Sequence, residues 1–142
     1  PDTDKREALD MQQGYKILLV EDNEINMELE VELLRDEGFV VDTAEDGSIA
    51  VEMVKNSRPG EYGVILMDIQ MPVMDGYRAS RAIRSLKDPA LAKIPIIAVS
   101  ANAFEEDRRK AFECGMNAHV AKPVDITLLL NAISSTLYDA AG

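Results

Sequence analysis

The chain has 142 residues, 46% of them hydrophobic and 29% charged, enough to bury one continuous core, and a single domain is expected. A formal net charge of −11 repels phosphate backbones and anionic lipid, which excludes direct nucleic-acid or membrane contact from the expected roles and leaves proteins and cations as partners. No apolar run approaches the roughly 18 residues of a membrane span, and the lone Cys114, with no second thiol for a disulfide or zinc site, reads as a small buried or half-buried core filler.

Residues 1–14 are polar without a sustained period and read as a flexible linker. The chain opens on Pro1, no signal-peptide pattern follows, and it reads as a piece of something longer. A folded region is expected over 15–138, with a short tail at 139–142. Ile17 to Val20 begins it as a strand, followed by a helix from Glu24 to Glu37 with Asn23 as its cap and Gly38 suited to the left-handed position after it. Phe39 to Val41 is the second strand, and the helix from Ile49 to Lys55 is stopped by Pro59 and Gly60. Val64 to Met67 is the third strand, and Asp75 caps a helix running through Ser85. Ile94 to Val99 is the fourth, followed by a helix from Ala103 to Cys114 that ends at Gly115. Ala118 to Ala121 is the fifth, and Ile126, Leu129, Leu130, Ile133 and Leu137 mark the buried face of the last helix. Strands apolar on both faces and joined by helices predict an α/β fold, a parallel five-stranded sheet with helices on both faces and right-handed crossovers.

In such sheets ligands sit beyond the carboxyl ends of the strands. The residues that follow the strands are Glu21 and Asp22, Asp68, Ser100 and Lys122. Each alone reads as a turn acid, a cap or a surface lysine; at one edge together they read as a site. Where the first and third strands are neighbours, the three carboxylates share a small space and require positive charge. Lys122 and a divalent cation would supply it, and oxygen ligands of this hardness suit Mg²⁺, with Mn²⁺ as a substitute, better than Ca²⁺, for which no EF-hand loop is present. An aspartate so placed is a nucleophile toward phosphorus, with Lys122 pairing the phosphoryl oxygens and the Ser100 hydroxyl donating to another.

The stretches Ile17-Leu18-Leu19-Val20-Glu21-Asp22-Asn23, Leu66-Met67-Asp68-Ile69-Gln70-Met71-Pro72-Val73-Met74-Asp75-Gly76, Val99-Ser100-Ala101 and Ala121-Lys122-Pro123 make the chain resemble a response-regulator receiver domain from about Tyr15 to Leu137. The resemblance implies the strand order 2-1-3-4-5 of the flavodoxin-like receiver fold. It implies Asp68 as phosphoacceptor, Asp22 as a direct Mg²⁺ ligand, Glu21 acting mostly through metal-bound water, and the Gln70 backbone carbonyl as a further ligand. Lys122 is then the phosphate-pairing lysine and Ser100 the hydroxyl that moves on activation. It further implies a cis bond between Lys122 and Pro123, tuning of acyl-phosphate hydrolysis by Gln70 and Asn102, and output through the face formed by the fourth helix, last strand and last helix. His119 stands where many receivers carry a Tyr or Phe that rotates with the switch; a modified switch and a merely exposed histidine are both open readings.

Asp22-Asn23-Glu24-Ile25-Asn26, Ala101-Asn102-Ala103 and Gly115-Met116-Asn117-Ala118-His119 are similar to receivers of hybrid histidine kinases. That similarity implies a histidine kinase or histidine phosphotransfer protein as partner, a monomer or weak dimer, and a cytoplasmic domain whose parent protein is free to be membrane-associated. A stand-alone regulator is the alternative, and a non-phosphorylated docking module the alternative of another class; the full set of acids and lysine weighs against the latter. A haloacid-dehalogenase-type phosphatase needs a second acid where Gln70 stands. A nucleotide-binding flavodoxin-like module lacks its glycine-rich loop, and a serine hydrolase built on Ser100 and His119 lacks its Gly-x-Ser-x-Gly elbow.

Overall fold

The computed structural model describes residues 16–101 and 104–141, the last four as backbone only. The expected linker and Asn102 lie outside the described residues. The strands are β1 (Lys16–Val20), β2 (Val40–Ala44), β3 (Tyr62–Asp68), β4 (Ile96–Ser100) and β5 (Ala118–Ala121). The helices are α1 (Glu24–Asp36), α2 (Gly47–Lys55), α3 (Gly76–Arg84), a single turn α4 (Pro89–Ala92), α5 (Glu105–Glu113) and α6 (Ile126–Ala141). All strand pairs are parallel and the order is β2-β1-β3-β4-β5, as expected.

The alternation of side chains along each strand divides the core in two. Leu18, Val20, Ile65, Met67, Ile96 and Ala98 point to one face, where Ala50 and Val54 of α2, Ala79 and Ile83 of α3, Leu91 of α4 and Ala111 of α5 cover them. Ile17, Leu19, Val64, Leu66, Ile97 and Val99 point to the other, against Leu34 of α1 and Leu129, Ile133 and Leu137 of α6. Burying each such aliphatic side chain contributes about 1.5–3 kcal/mol, so the sheet is stable only with both faces covered. Cys114 is buried in this core region, and no helix among the described residues is long and apolar enough to cross a membrane.

The expected caps are present: Asn23 Oδ1 accepts the Asn26 N–H at 3.0 Å and Asp75 Oδ1 accepts the Arg78 N–H at 2.9 Å. Gly38 and Gly115 both take φ 94°, the left-handed conformation that ends a helix. Several boundaries differ from expectation. β3 begins at Tyr62, which pairs with Lys16 of β1 and whose hydroxyl donates to Asp42 of β2 at 2.8 Å. Phe39 precedes β2 because its N–H closes the end of α1 on Leu34 O at 3.2 Å. α2 starts at Gly47, before Ile49, since Asp46 accepts the Ile49 N–H at 3.0 Å and caps it. α4, one turn capped by Asp88, is too short to show a period.

Arg84 fastens the edge of the sheet opposite the strand carboxyl ends. Its Nη1 donates to Ala92 O and Ile94 O, both at 2.8 Å, its Nε to Gly115 O at 2.9 Å and its Nη2 to Asn117 Oδ1 at 3.0 Å. Asn117 Oδ1 also accepts the Ile96 N–H at 2.9 Å. One half-buried guanidinium thus ties α3 to the segments leading into β4 and β5, the strands that present Ser100 and Lys122.

Candidate functional site

The ladder of the sheet continues one residue past three strands. Glu21 N–H donates to Ala44 O at 3.1 Å, Ile69 N–H to Val99 O at 3.2 Å, and Lys122 N–H to Ser100 O at 2.8 Å. The polar residues at these ends are therefore held by backbone. Gly76 closes the loop behind Asp68: its N–H donates to Ile69 O at 2.8 Å, and a Cβ there would run into the Asp68 carbonyl. Within that loop Met74 N–H donates to Pro72 O at 2.7 Å around Val73, a β-branched residue at φ 66°.

The structure brings Glu21, Asp22, Asp68 and Lys122 together. Lys122 Nζ lies 3.0 Å from Glu21 Oε2 and 3.3 Å from Asp68 Oδ2. Glu21, Asp22 and Asp68 each offer an oxygen within 4.8 Å of the others, with Glu21 and Asp68 buried and Asp22 exposed. Two fixed oxygens and one open to solvent, with no nitrogen or sulfur donor among them, fit a hard divalent cation that keeps part of its water. The Lys122–Pro123 bond is cis. Ser100 ends β4, buried, and lines a cavity of about 330 Å³ with Ile69, Gln70, Asp75, Tyr77, Asp107 and Lys110. Gln70 is exposed on the loop after β3. His119 lies in β5 beside Ala98, half-buried with both ring nitrogens shielded from solvent, which corrects the reading of a merely exposed histidine.

The electrostatics follow from burial and crowding. The Asp68 carboxyl is pushed up to about 8 by burial, then by its hydrogen bond with Glu21 and that residue's charge, while Lys122 pulls the other way. Burial pulls the Lys122 ammonium down, but the Glu21 hydrogen bond and the charges of Asp68 and Glu21 outweigh it and the net shift is upward. Without a metal the crowded acids favour keeping a proton; a divalent cation held by Glu21, Asp22 and Asp68 would take over that neutralising role and displace it.

Two participants were missed in the sequence. Asn26, in the first turn of α1, donates from Nδ2 to Glu21 Oε1 at 3.1 Å. Glu30, one turn further on, is 4% exposed, and its Oε2 has no hydrogen-bond partner among the described residues. Burial and then the charge of Glu21 push its carboxyl up to about 7, against the pull of Lys122. The only available signal was its four-residue spacing from Leu34, the other buried residue of α1. The unfolded chain releases this proton near the ordinary value of 4.5 and the folded chain near 7, so the stability Glu30 contributes is lost as pH rises through that window. Glu30→Leu is expected to stabilise the metal-free protein by about 3 kcal/mol above pH 7 and to flatten the pH slope below it. Urea melts across pH check this, and parallel slopes for the two proteins would contradict it.

The model of the response regulator receiver domain family matches residues 17–134. Hybrid signal transduction histidine kinase B of Dictyostelium discoideum is 42% identical over 124 residues, covering 81% of this chain and 6% of that protein. The chain spans 12% or less of the length of this protein and seven other curated histidine kinase relatives. The crystal structure of the receiver domain of sensor histidine kinase PA1611 from Pseudomonas aeruginosa PAO1, with a magnesium ion in its active-site cleft, is 39% identical with a TM-score of 0.77, covering 87% of this chain and 98% of that one. A chain of the co-crystal structure of the Saccharomyces cerevisiae histidine phosphotransfer signaling protein Ypd1 and the receiver domain of its downstream response regulator Ssk1 is 30% identical with a TM-score of 0.80, covering 92% and 93%.

Proposed function

The chain belongs to the response regulator receiver domain family, and from that premise we propose that it takes a phosphoryl group onto Asp68 from the phosphohistidine of a histidine kinase or histidine phosphotransfer protein. The observation that carries this reading is the contact of one lysine, Lys122, with both Asp68 at 3.3 Å and Glu21 at 3.0 Å inside a cluster of three carboxylates. A docking platform would need none of it.

Glu21, Asp22, Asp68 and the Gln70 backbone carbonyl would hold Mg²⁺, with Mn²⁺ as a substitute; the magnesium-bound PA1611 receiver supports this. When bound, the ion neutralises charge on the transferring group and orients it. The Asp68 carboxylate attacks phosphorus, forming the oxygen–phosphorus bond as the phosphorus–nitrogen bond to the donor imidazole breaks. Lys122 pairs with one phosphoryl oxygen, the Ser100 hydroxyl donates to another, and the burial of Glu21 and Asp68 makes these interactions strong by excluding water. Gln70 and Asn102 tune the later hydrolysis.

The outward side of α1 carries Ile25 and Leu29, exposed and one turn apart beside the site, an apolar contact for the donor. The yeast phosphotransfer complex supports this class of partner. The similarity to hybrid kinases favours a cytoplasmic receiver within such a protein. Closure of Ser100 on the phosphoryl group would bias the face formed by α5, β5 and α6, where His119 lies, between two conformations.

Transfer from a radiolabelled, phosphorylated histidine phosphotransfer protein tests the reading. Label is expected to move to this chain only with Mg²⁺ and to become labile to hydroxylamine, as an acyl phosphate is. Transfer indifferent to a chelator, or label that resists hydroxylamine, would contradict it.

A further inference from the structure

Glu21 is 1% exposed, and its carboxylate accepts three hydrogen bonds from two side chains. Lys122 Nζ donates to both oxygens, at 3.2 Å to Oε1 and 3.0 Å to Oε2, and Asn26 Nδ2 donates to Oε1 at 3.1 Å. The amide comes from the third helical position of α1, where Asn23 accepts the Asn26 backbone N–H at 3.0 Å. A side chain at that position commonly reaches back to the cap residue; here it passes the cap and reaches the carboxylate instead. The Glu21 backbone is tied separately to Ala44.

We propose that Asn26 is a positioning residue for the phosphoryl-transfer site, acting through Glu21. The inference deepens the receiver reading and rests on it. Lys122 is shared between Glu21 and Asp68, and the incoming phosphoryl group claims it as well. Once Lys122 turns to that group, Asn26 is, among the described residues, the other side-chain donor that keeps the Glu21 carboxylate in the cluster. A neutral amide does this without the positive charge that would compete with a cation. Groups that orient metal ligands from behind set affinity by about 10–100-fold.

Asn26→Leu keeps the branched shape of the side chain and removes the donor. Mg²⁺ titrated by calorimetry is expected to bind about tenfold more weakly, with the melting temperature of the metal-free protein unchanged. The rate of phosphorylation by acetyl phosphate is expected to return to near the wild-type value at saturating Mg²⁺, whereas a purely structural role would lower both the melt and that limiting rate. Asn26→Gln, which keeps an amide donor, is expected to recover part of the affinity, and Asn26→Ala serves if the leucine variant does not fold. Wild-type phosphorylation together with unchanged Mg²⁺ affinity in a folded Asn26→Leu protein overturns the role of Asn26 alone. Absence of wild-type phosphorylation overturns the receiver reading and this role with it.

Discussion

Asp68→Asn is expected to fold normally and to take no phosphoryl group from any donor. The substitution is nearly isosteric, so the backbone bonds around β3 and the approach of Gly76 are kept, and the amide oxygen still accepts from Lys122. What is lost is the anionic nucleophile; an amide oxygen does not displace a phosphoryl group at a comparable rate, and a fall on the order of 10³-fold or more is expected. The variant carries a second signature. Asp68 holds its proton up to about 8 in the fold against an ordinary 3.8, so the wild type loses stability as pH rises between those values. The neutral asparagine is exempt, and the metal-free variant is expected to gain on the wild type progressively toward pH 8 in urea melts. A phosphorylated variant would show that the wrong residue has been named.

Lys122→Ala separates charge neutralisation by the protein from metal binding. Removing a preorganised cation from a developing phosphoryl charge costs about 10²–10³-fold in rate, and phosphorylation by acetyl phosphate is expected to fall by that order. Mg²⁺ affinity is expected to be retained or strengthened, because the ammonium occupies the Glu21 and Asp68 oxygens at 3.0 and 3.3 Å and repels the ion. Asp68 also loses the group that holds its proton affinity down, so more protons should leave per Mg²⁺ bound near pH 8. Calorimetry in buffers of different ionisation enthalpy measures both quantities. Loss of Mg²⁺ affinity in step with rate would mean that Lys122 holds the acids in place rather than serving the phosphoryl group.

The strands were legible because Leu18 and Leu19, or Ile65 and Leu66, are apolar on successive positions, and a strand needs that only when both faces are covered. Their order was not legible from the pattern, since five such strands can be arranged in many ways; it came with the family resemblance. Asp22, Asp68 and Lys122 stood out because each lies at the carboxyl end of an apolar run. Asn26 and Glu30 did not, because α1 reads as an acidic helix in which Glu28, Glu30 and Glu32 look equally solvated. Only the helix axis set by the Asn23 cap decides that Asn26 and Glu30, one turn apart, face the acids while Ile25 and Leu29 face solvent. The extra length of β3 rests on the pairing of Tyr62 with Lys16 of β1 across a register shift, a long-range contact that no local pattern contains.

The central claim, that Asp68 is a metal-dependent phosphoacceptor, is tested most directly by intact-mass spectrometry after incubation with acetyl phosphate, with and without Mg²⁺. The expected result is a single phosphoryl adduct formed only with the metal, removed by hydroxylamine and mapping to the peptide that contains Asp68. A folded protein that binds Mg²⁺ yet gains no adduct, or gains one elsewhere, would contradict it.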